Sequence, residues 1–342
     1  MNEVSIVILN WNGKHFLEKF LPSVIAHSQG ARIIVADNAS TDDSLEFLKS
    51  SYPTIEIIIN ESNGGFAKGY NDALKFVESK YYLLLNSDIE VTPNWLSPLV
   101  DAMKDIKLAG CQPKVLSFQD QTMFEHAGAS GGFLDRNYFP FCRGRIFDKF
   151  EYDEGQYDGE TEIFWATGAA MMIRADLFHE VGGFDESFFA HMEEIDLCWR
   201  LKKRGFAFKA IPSSHIFHVG GGTLPYLSPQ KTYLNFRNSL FMIVKNHDGN
   251  LFLKLSHRLV LDGIASIRFL IRGEWKHLFS VLKAHRDMHK QFASLLKKRK
   301  YIKASSTDFK LTGIYKGSIL WARYFKGVSK FSQLNQRLFI PK

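Results

Sequence analysis

Acids, amides and histidines that follow apolar runs are the residues of this chain best placed to do chemistry. Asn86-Ser87-Asp88-Ile89-Glu90 comes directly after the apolar run Tyr81–Leu85. A carboxylate there can hold Mg2+ or Mn2+ against a nucleotide diphosphate, because both cations prefer hard oxygen ligands; capping a helix is the other reading. Asp37 follows Ile33–Ala36 in the same way. It can accept a hydrogen bond from the imide N–H of a uracil or thymine ring, or it can shape an Asx turn. Glu193, Glu194 and Asp196 crowd ahead of Leu197-Cys198-Trp199-Arg200, and one arginine cannot neutralise all of them. A carboxyl buried beside other acids has a raised pKa and suits a general base; a solvated acidic helix start is the alternative. His215 and His218 precede Gly220-Gly221-Gly222-Thr223. Either imidazole can complete a metal shell begun by Asp88, while the glycines let backbone approach phosphate, or the histidine is structural.

These residues need a scaffold that gathers them. Short apolar runs at Ser5–Leu9, Ile33–Ala36, Ile55–Ile59 and Tyr81–Leu85 read as buried parallel strands. Helical stretches at about 14–27, 42–50 and 67–79 alternate with them, so the expected fold is a doubly wound α/β sheet. Such sheets bind ligands beyond the carboxyl ends of their strands. Asn10-Trp11-Asn12, Asp37–Ser40, Asn60–Gly69 and Asn86–Asp88 then line the mouth. The Asn63-Gly64-Gly65-Phe66-Ala67-Lys68-Gly69 segment matches neither G-x-G-x-x-G nor G-x-x-x-x-G-K-[ST], which weakens dinucleotide and P-loop readings. A helix near 93–104 and a strand near 108–112 continue the alternation, and 117–160 shows no periodicity. Glu194–Arg204 reads as a helix stopped by Gly205, and the pattern is helical from Pro225 to about Lys303.

Composition narrows the classes. The 342 residues are 45% hydrophobic and 23% charged, enough for a packed core and against wholesale disorder. Cys111, Cys142 and Cys198 are too few for a disulfide framework, so a reducing compartment is expected. The opening MNEVSIVILNW lacks a basic n-region, and no 18-residue stretch is free of charge, so neither a secretory signal nor a spanning helix is expected. Residues 228–342 carry 23 Lys and Arg against 5 Asp and Glu, while the remainder is acidic. A basic tail on an acidic body points to a polyanionic partner, with a solvated Lys-rich helix pair as the alternative. Apolar residues at helical spacing (Phe252, Leu255, Leu259 and later Phe279, Leu282), the stretch Leu251–Trp275, apolar enough to lie in a membrane interface, and the cluster Lys297-Lys298-Arg299-Lys300 suggest peripheral attachment to an anionic membrane surface. No zinc-finger or RNP-type motif supports nucleic acid as the partner.

Together the motifs resemble a family 2 glycosyltransferase of the GT-A type, from Val4 to about Thr223. The resemblance rests on V-S-I-V-I-L-N-W-N-G, A-D-N-A-S-T-D-D-S, N-G-G-F-A-K-G-Y-N, L-L-L-N-S-D, G-G-F-D-E-S-F-F, E-E-I-D-L-C-W-R-L-K-K-R-G and H-V-G-G-G-T, in family order. The N-S-D form is most similar to the rhamnosyltransferase-like branch, and it lacks the first acid of the usual D-x-D. The resemblance implies a catalytic domain over 1–225 and a basic helical region over 226–342. It implies that Asp37 reads the base, with Leu9 and Trp11 lining the pocket and Asn63, Asn86 and Ser87 near the nucleotide; Arg237, in Tyr233–Asn238, either reaches the diphosphate or forms a structural salt bridge. Asp88 and His218 would hold Mg2+ or Mn2+, and Glu194 or Glu193 would deprotonate the acceptor hydroxyl. The implied activity is inverting transfer from a dTDP- or UDP-linked sugar to a saccharide acceptor, lipid-linked through a polyprenyl diphosphate, in bacterial cell-surface polysaccharide synthesis. The implied location is the cytoplasmic face of the membrane. A nucleotide-sugar pyrophosphorylase would open with a glycine-rich G-x-G-x-R loop, which Ser5–Gly13 lacks. A catalytically inactive nucleotide- or glycan-binding relative is the alternative.

Overall fold

The computed structural model describes residues 3–125, 128–220, 228–307 and 311–340. Its first part alternates β1 (Val4–Asn10), α1 (Lys14–His27), β2 (Arg32–Asp37), α2 (Ser44–Ser51), β3 (Glu56–Ile59), α3 (Gly65–Leu74) and β4 (Tyr81–Asn86). There follow β5 (Ile89–Val91), α4 (Leu96–Ala102) and β6 (Leu108–Ser117). Then come β7 (Gly132–Asp135), β8 (Pro140–Cys142), β9 (Arg145–Ile146), β10 (Lys149–Phe150), β11 (Thr161–Ile163) and β12 (Ala170–Arg174). The chain continues through α5 (Ala175–Glu180), α6 (Glu193–Lys202), β13 (Ala207–His218), α7 (Pro229–Asn246), α8 (Leu251–Ile271) and α9 (Trp275–Ala304). β14 (Ile314–Tyr315) and α10 (Ile319–Tyr324) come last.

The larger sheet has the order β11-β13-β6-β12-β4-β1-β2-β3, with β5 paired to β13. Strands β1 to β4 are parallel neighbours, as the apolar runs predict. β12 runs antiparallel to both β4 and β6, which returns β6 and its parallel partner β13 to the direction of β4. The carboxyl ends of β1, β2, β4, β6 and β13 therefore open on one rim, at Asn10, Asp37, Asn86, Ser117 and His218. The pleat of β1 sends Val7 into the layer holding Tyr70, Ala73 and Leu74 of α3, and Ile6 and Ile8 into the layer holding Leu17 and Leu21 of α1. Full burial of each such large side chain stabilises by about 1.5–3 kcal/mol.

The unperiodic stretch 117–160 supplies four strands of a second sheet, ordered β10-β9-β8-β7-β14, and the C-terminal segment supplies the fifth. Its strands are two to four residues long, too short for a period to register. Two buried carboxylates bind it to the C-terminal segment: Asp135 accepts the Ile319 amide at 2.9 Å, and Glu151 accepts the Phe331 amide at 2.9 Å. The division expected near 225 is not a break in packing. Leu240–Val244 of α7, Leu255 of α8, Met288 of α9 and Ile319 of α10 share one buried cluster with Val7 and Leu84. Residues 221–227, where that division falls, lie outside the described set.

Charge seals the same junction. Lys245 of α7 is buried with its Nζ 2.6 Å from Asp185 and 2.8 Å from Asp196 of α6. Lys298 of α9 reaches Asp185 at 2.6 Å, and Arg200 and Asn246 complete the shell of Asp196. Burial opposes ionisation of Asp185, but Lys245 and Lys298 hold its carboxyl well below the usual carboxylate range. Lys245→Ala leaves two buried carboxylates short of a cation and is expected to destabilise by about 3–5 kcal/mol. Arg323→Ala, which opens the solvent-facing pair with Asp148, is expected to cost less than about 1 kcal/mol. Equilibrium denaturation of both variants checks this; equal losses would show that the buried cation is not what joins the helices.

Candidate functional site

Asp88 lies just past β4 and His218 ends β13, so the common direction of those strands brings both to one rim. His218 Nε2 stands 3.1 Å from Asp88 Oδ1, and His218 Nδ1 stands 3.0 Å from Glu125 Oε2. Burial works against a charged imidazole here, yet the flanking carboxylates Asp88 and Glu125 outweigh it and raise His218 to about 10. Asp88 is lowered in return, by the charge and hydrogen bond of His218 acting against burial. Sequence reasoning brings Asp88 and His218 together but misses Glu125, a lone acid in an aromatic stretch with no spacing to mark it. His215, three residues before His218, falls on the opposite face of β13, with its carbonyl accepting the Thr92 hydroxyl at 2.7 Å. Gly221, Gly222 and Thr223 of the glycine run lie outside the described residues.

Glu193 and Glu194 open α6. Ahead of them Phe189, His191 and Met192 adopt φ of 65°, 69° and 71°, a left-handed path that side chains rarely take. Contacts from two sides hold it. Asn238 of α7 places Nδ2 2.7–2.9 Å from the carbonyls of Phe188, Ala190 and His191. From the rim, the Ala67 amide donates to the Phe189 carbonyl at 3.2 Å. Gly65, with φ +77°, permits that approach, because a Cβ there would stand 2.5 Å from the same carbonyl. Glu193 Oε2, Glu194 Oε2 and His191 Nε2 are buried with no hydrogen-bond partner among the described residues. Burial pushes Glu194 up to about 7, against the pull of the first amides of α6. Burial, then the charge of Glu194, raises Glu193 well above the ordinary glutamate value. Burial lowers His191 to about 4, so its ring is neutral at pH 7.

The remaining predicted residues divide into rim and framework. Trp11 is exposed, and Asn86 and Ser87 are half-buried, all at the strand ends. Leu9 packs on the core beneath them. Asp37 is fully buried, with one oxygen accepting from Asn10 Nδ2 at 3.0 Å and the other from the Ser40 amide at 2.8 Å. Its carboxylate ties the loops after β1 and β2. Asn63 takes the Asn38 amide at 2.9 Å and the Gly65 N–H at 2.9 Å, clipping the loop after β3 to that after β2. Arg237 differs from expectation. Its guanidinium donates to the Ser187 and Phe188 carbonyls, the Tyr233 hydroxyl and Asn238 Oδ1, so it secures the loop before α6 instead of facing the rim.

Comparison with known proteins bears on this rim. The family model described as Glycosyl transferase family 2 matches residues 5–182. The chain is 25% identical over 229 residues to an N-acetylglucosaminyl-diphospho-decaprenol L-rhamnosyltransferase of Mycobacterium tuberculosis, covering 62% of this chain and 75% of the relative. It is 25% identical over 226 residues to rhamnosyltransferase WbbL of Escherichia coli, covering 63% and 83%. Among solved structures, GalNAc-T7 with UDP, GalNAc and Mn2+ superposes with a TM-score of 0.56 at 17% identity, over 91% of this chain and 59% of that one. Mannosyltransferase PcManGT from Pyrobaculum calidifontis, with GDP-Man and Mn2+, superposes with a TM-score of 0.50 at 12% identity, over 89% and 85%. At these identities the structural likeness speaks for the GT-A fold.

The grip on the loop before α6 is directly measurable. Asn238→Leu removes the donor shared by three carbonyls. Backbone amides of 188–192 are expected to exchange with deuterium about tenfold faster, with α3 unchanged, the loss of roughly 1 kcal/mol of hydrogen bonding. Unaltered protection would mean that the loop is held by its own turns.

Proposed function

The chain belongs to glycosyl transferase family 2, and on that premise we propose that it is an inverting glycosyltransferase with Glu194 as its base. The observation that carries this reading is the Glu194 carboxyl, buried with one oxygen unpartnered and raised to about 7. A base poised near the working pH is ionised when needed and basic enough to take a proton. Glu193 beside it is also raised well above the ordinary glutamate value, by burial and by the charge of Glu194, so the two carboxyls resist ionising together. In the step proposed, Glu194 takes the proton of an acceptor hydroxyl. The acceptor oxygen bonds to the anomeric carbon as the bond to the diphosphate oxygen breaks, its electron pair leaving with the nucleoside diphosphate. A single displacement of this kind inverts the anomeric centre.

The residues at the rim fit a divalent cation. Asp88 offers a hard oxygen; His218, which bridges Asp88 and Glu125, would join it as a ligand only by giving up its Nε2 proton and its hydrogen bond to Asp88, with Glu125 on Nδ1 as the carboxylate–imidazole pairing that orients metal-bound histidines. Among the described residues no three His, Cys, Asp or Glu side chains form a cage. Two protein ligands suit Mg2+ or Mn2+, which take further oxygens from substrate phosphates. When bound, the cation would offset negative charge on the departing diphosphate. Asn86 and Ser87 line the approach, and Trp11 and Leu9 give the nucleotide an apolar wall. Kinship with rhamnosyltransferases supports dTDP-rhamnose as donor, with UDP-sugars as the competing class, and a saccharide acceptor carried on a lipid diphosphate.

Glu194→Gln is expected to slow transfer about 10²–10⁴-fold while leaving UDP or dTDP binding, measured by calorimetry, unchanged. Glu193→Gln, which keeps the shape of the neighbouring side chain without its charge, is expected to retain most activity. The parent kcat/KM should fall on the acid side of pH about 7, as Glu194 gains its proton. Full activity in Glu194→Gln would overturn the assignment of the base. Failure of UDP and dTDP to bind, with or without Mn2+, would overturn the nucleotide-sugar reading itself.

A further inference from the structure

The outer face of the α8–α9 hairpin inverts the usual order of a surface helix. On α8 the buried positions are Leu255, Arg258 and Asp262, spaced to face the body of the protein. The opposite face is apolar. Val260, Ile264, Ile267 and Ile271 recur at steps of four, three and four, and Trp275 and Phe279 extend the row onto α9. These six side chains are between 54% and 80% exposed. A water-facing row of this length at helical spacing marks an interaction surface.

Charge identifies the occupant. Every Lys, Arg, Asp or Glu in 251–290 that is exposed is basic: Arg268, Arg272, Lys276, Lys283, Arg286 and Lys290. The acids of the segment are withdrawn. Asp262 is buried against Arg258, Glu274 is half-buried beside Arg272, and Asp287 takes the Tyr233 hydroxyl. Arg268 also lies over the Tyr324 ring at 5.8 Å, which brings the exposed Trp321 and Tyr324 of α10, and Phe325 just after it, to the same side. Tryptophan and tyrosine suit the boundary between headgroups and acyl chains. No described helix is long and apolar enough to cross a membrane. An apolar ridge whose fully exposed charged neighbours are all basic, with Glu274 at the elbow half-buried and aromatic residues at its edge, matches an anionic bilayer surface.

We propose that the α8–α9 elbow is a membrane-docking face that buries Ile264, Ile267, Ile271, Trp275 and Phe279 among the lipids of an anionic bilayer. This narrows the attachment expected over 251–275 to its elbow and sets the Lys297–Lys300 cluster aside. In the Lys297–Lys300 cluster, Lys298 is committed to Asp185 and Arg299 to the Val244 carbonyl, so half of that cluster faces inward. Docking through the elbow would hold the catalytic rim near a lipid-carried acceptor, but it does not depend on which acceptor or base the enzyme uses.

Flotation of the full chain with vesicles of equal phosphatidylcholine and phosphatidylglycerol tests the proposal, with pure phosphatidylcholine as the control. The parent is expected to float with the anionic vesicles. The pair Ile267→Glu and Ile271→Glu should need at least about tenfold more lipid for half-maximal binding, because it places charge in the apolar row. Both positions are solvent-facing, so the melting temperature and turnover of a water-soluble acceptor should match the parent. Flotation of this variant like the parent would overturn the elbow as the docking face, as would failure of the parent to float. Dimerisation of the parent without lipid, abolished by the same pair, would assign the row to a second copy and overturn the proposal too.

Discussion

Lys245 is a buried ammonium clasped by two buried carboxylates, and the geometry of the catalytic rim depends on it. Asp185 stands before the loop that leads into α6, Asp196 stands one turn inside α6, and Lys245 belongs to α7. A charge this deep tolerates few arrangements, because each alternative leaves an ion unpaired in a medium of low dielectric. The three segments therefore behave as one body. Asn238 lies two turns before Lys245 on the same face of α7, and the register that seats the lysine also delivers the Asn238 amide to the carbonyls of the loop.

Within the four residues that begin α6, acids of similar chemistry meet opposite fates. Asp196 receives Lys245, Arg200 and Asn246, and its pKa is lowered despite complete burial. Glu193 and Glu194 receive no cation, and each keeps an oxygen unpartnered. Leaving such groups dry costs stability, as do the positive-φ residues before them, at about 1–3 kcal/mol for each strained residue. The ion network and the large shared core offset that cost. The same contrast separates the two acidic sites on the rim. Asp88 has an imidazolium partner that keeps it ionised, whereas Glu194 is held where protonation and ionisation are nearly balanced.

Much of the fold is legible from period alone. The apolar runs become β1 to β4, the acids and amides after them do reach one rim, and the glutamate pair opens a helix as read. Legibility ends where a residue acts through partners distant in the chain. Glu125, Asn238 and Lys245 carry no motif; their roles exist only once β13, the 188–192 loop and α6 have arrived beside them. Asp37 illustrates the converse. Its place after an apolar strand is correctly read, yet whether it faces solvent or Asn10 is decided by the neighbouring loop. The basic tail misleads for a related reason. Charge counting treats every Lys and Arg as outward, but Lys245, Arg258, Arg237 and Lys298 are consumed inside the fold. The second sheet escapes because its strands are shorter than a recognisable alternation.

That second sheet also imposes an order on synthesis. Its strand β7 waits for β14, and Glu151 waits for the Phe331 amide 180 residues further along. At ribosomal speeds of about 5–20 residues per second, the wait is on the order of ten seconds or more. During that interval the β1–β4 layer can already be folded while β7 presents an open edge and two carboxylates without their amide donors. Contacts so remote in sequence slow the last stage of folding. The nascent protein therefore passes through a state whose nucleotide-facing half is assembled before the half that braces it, and that state exposes the edge most prone to pairing with another chain.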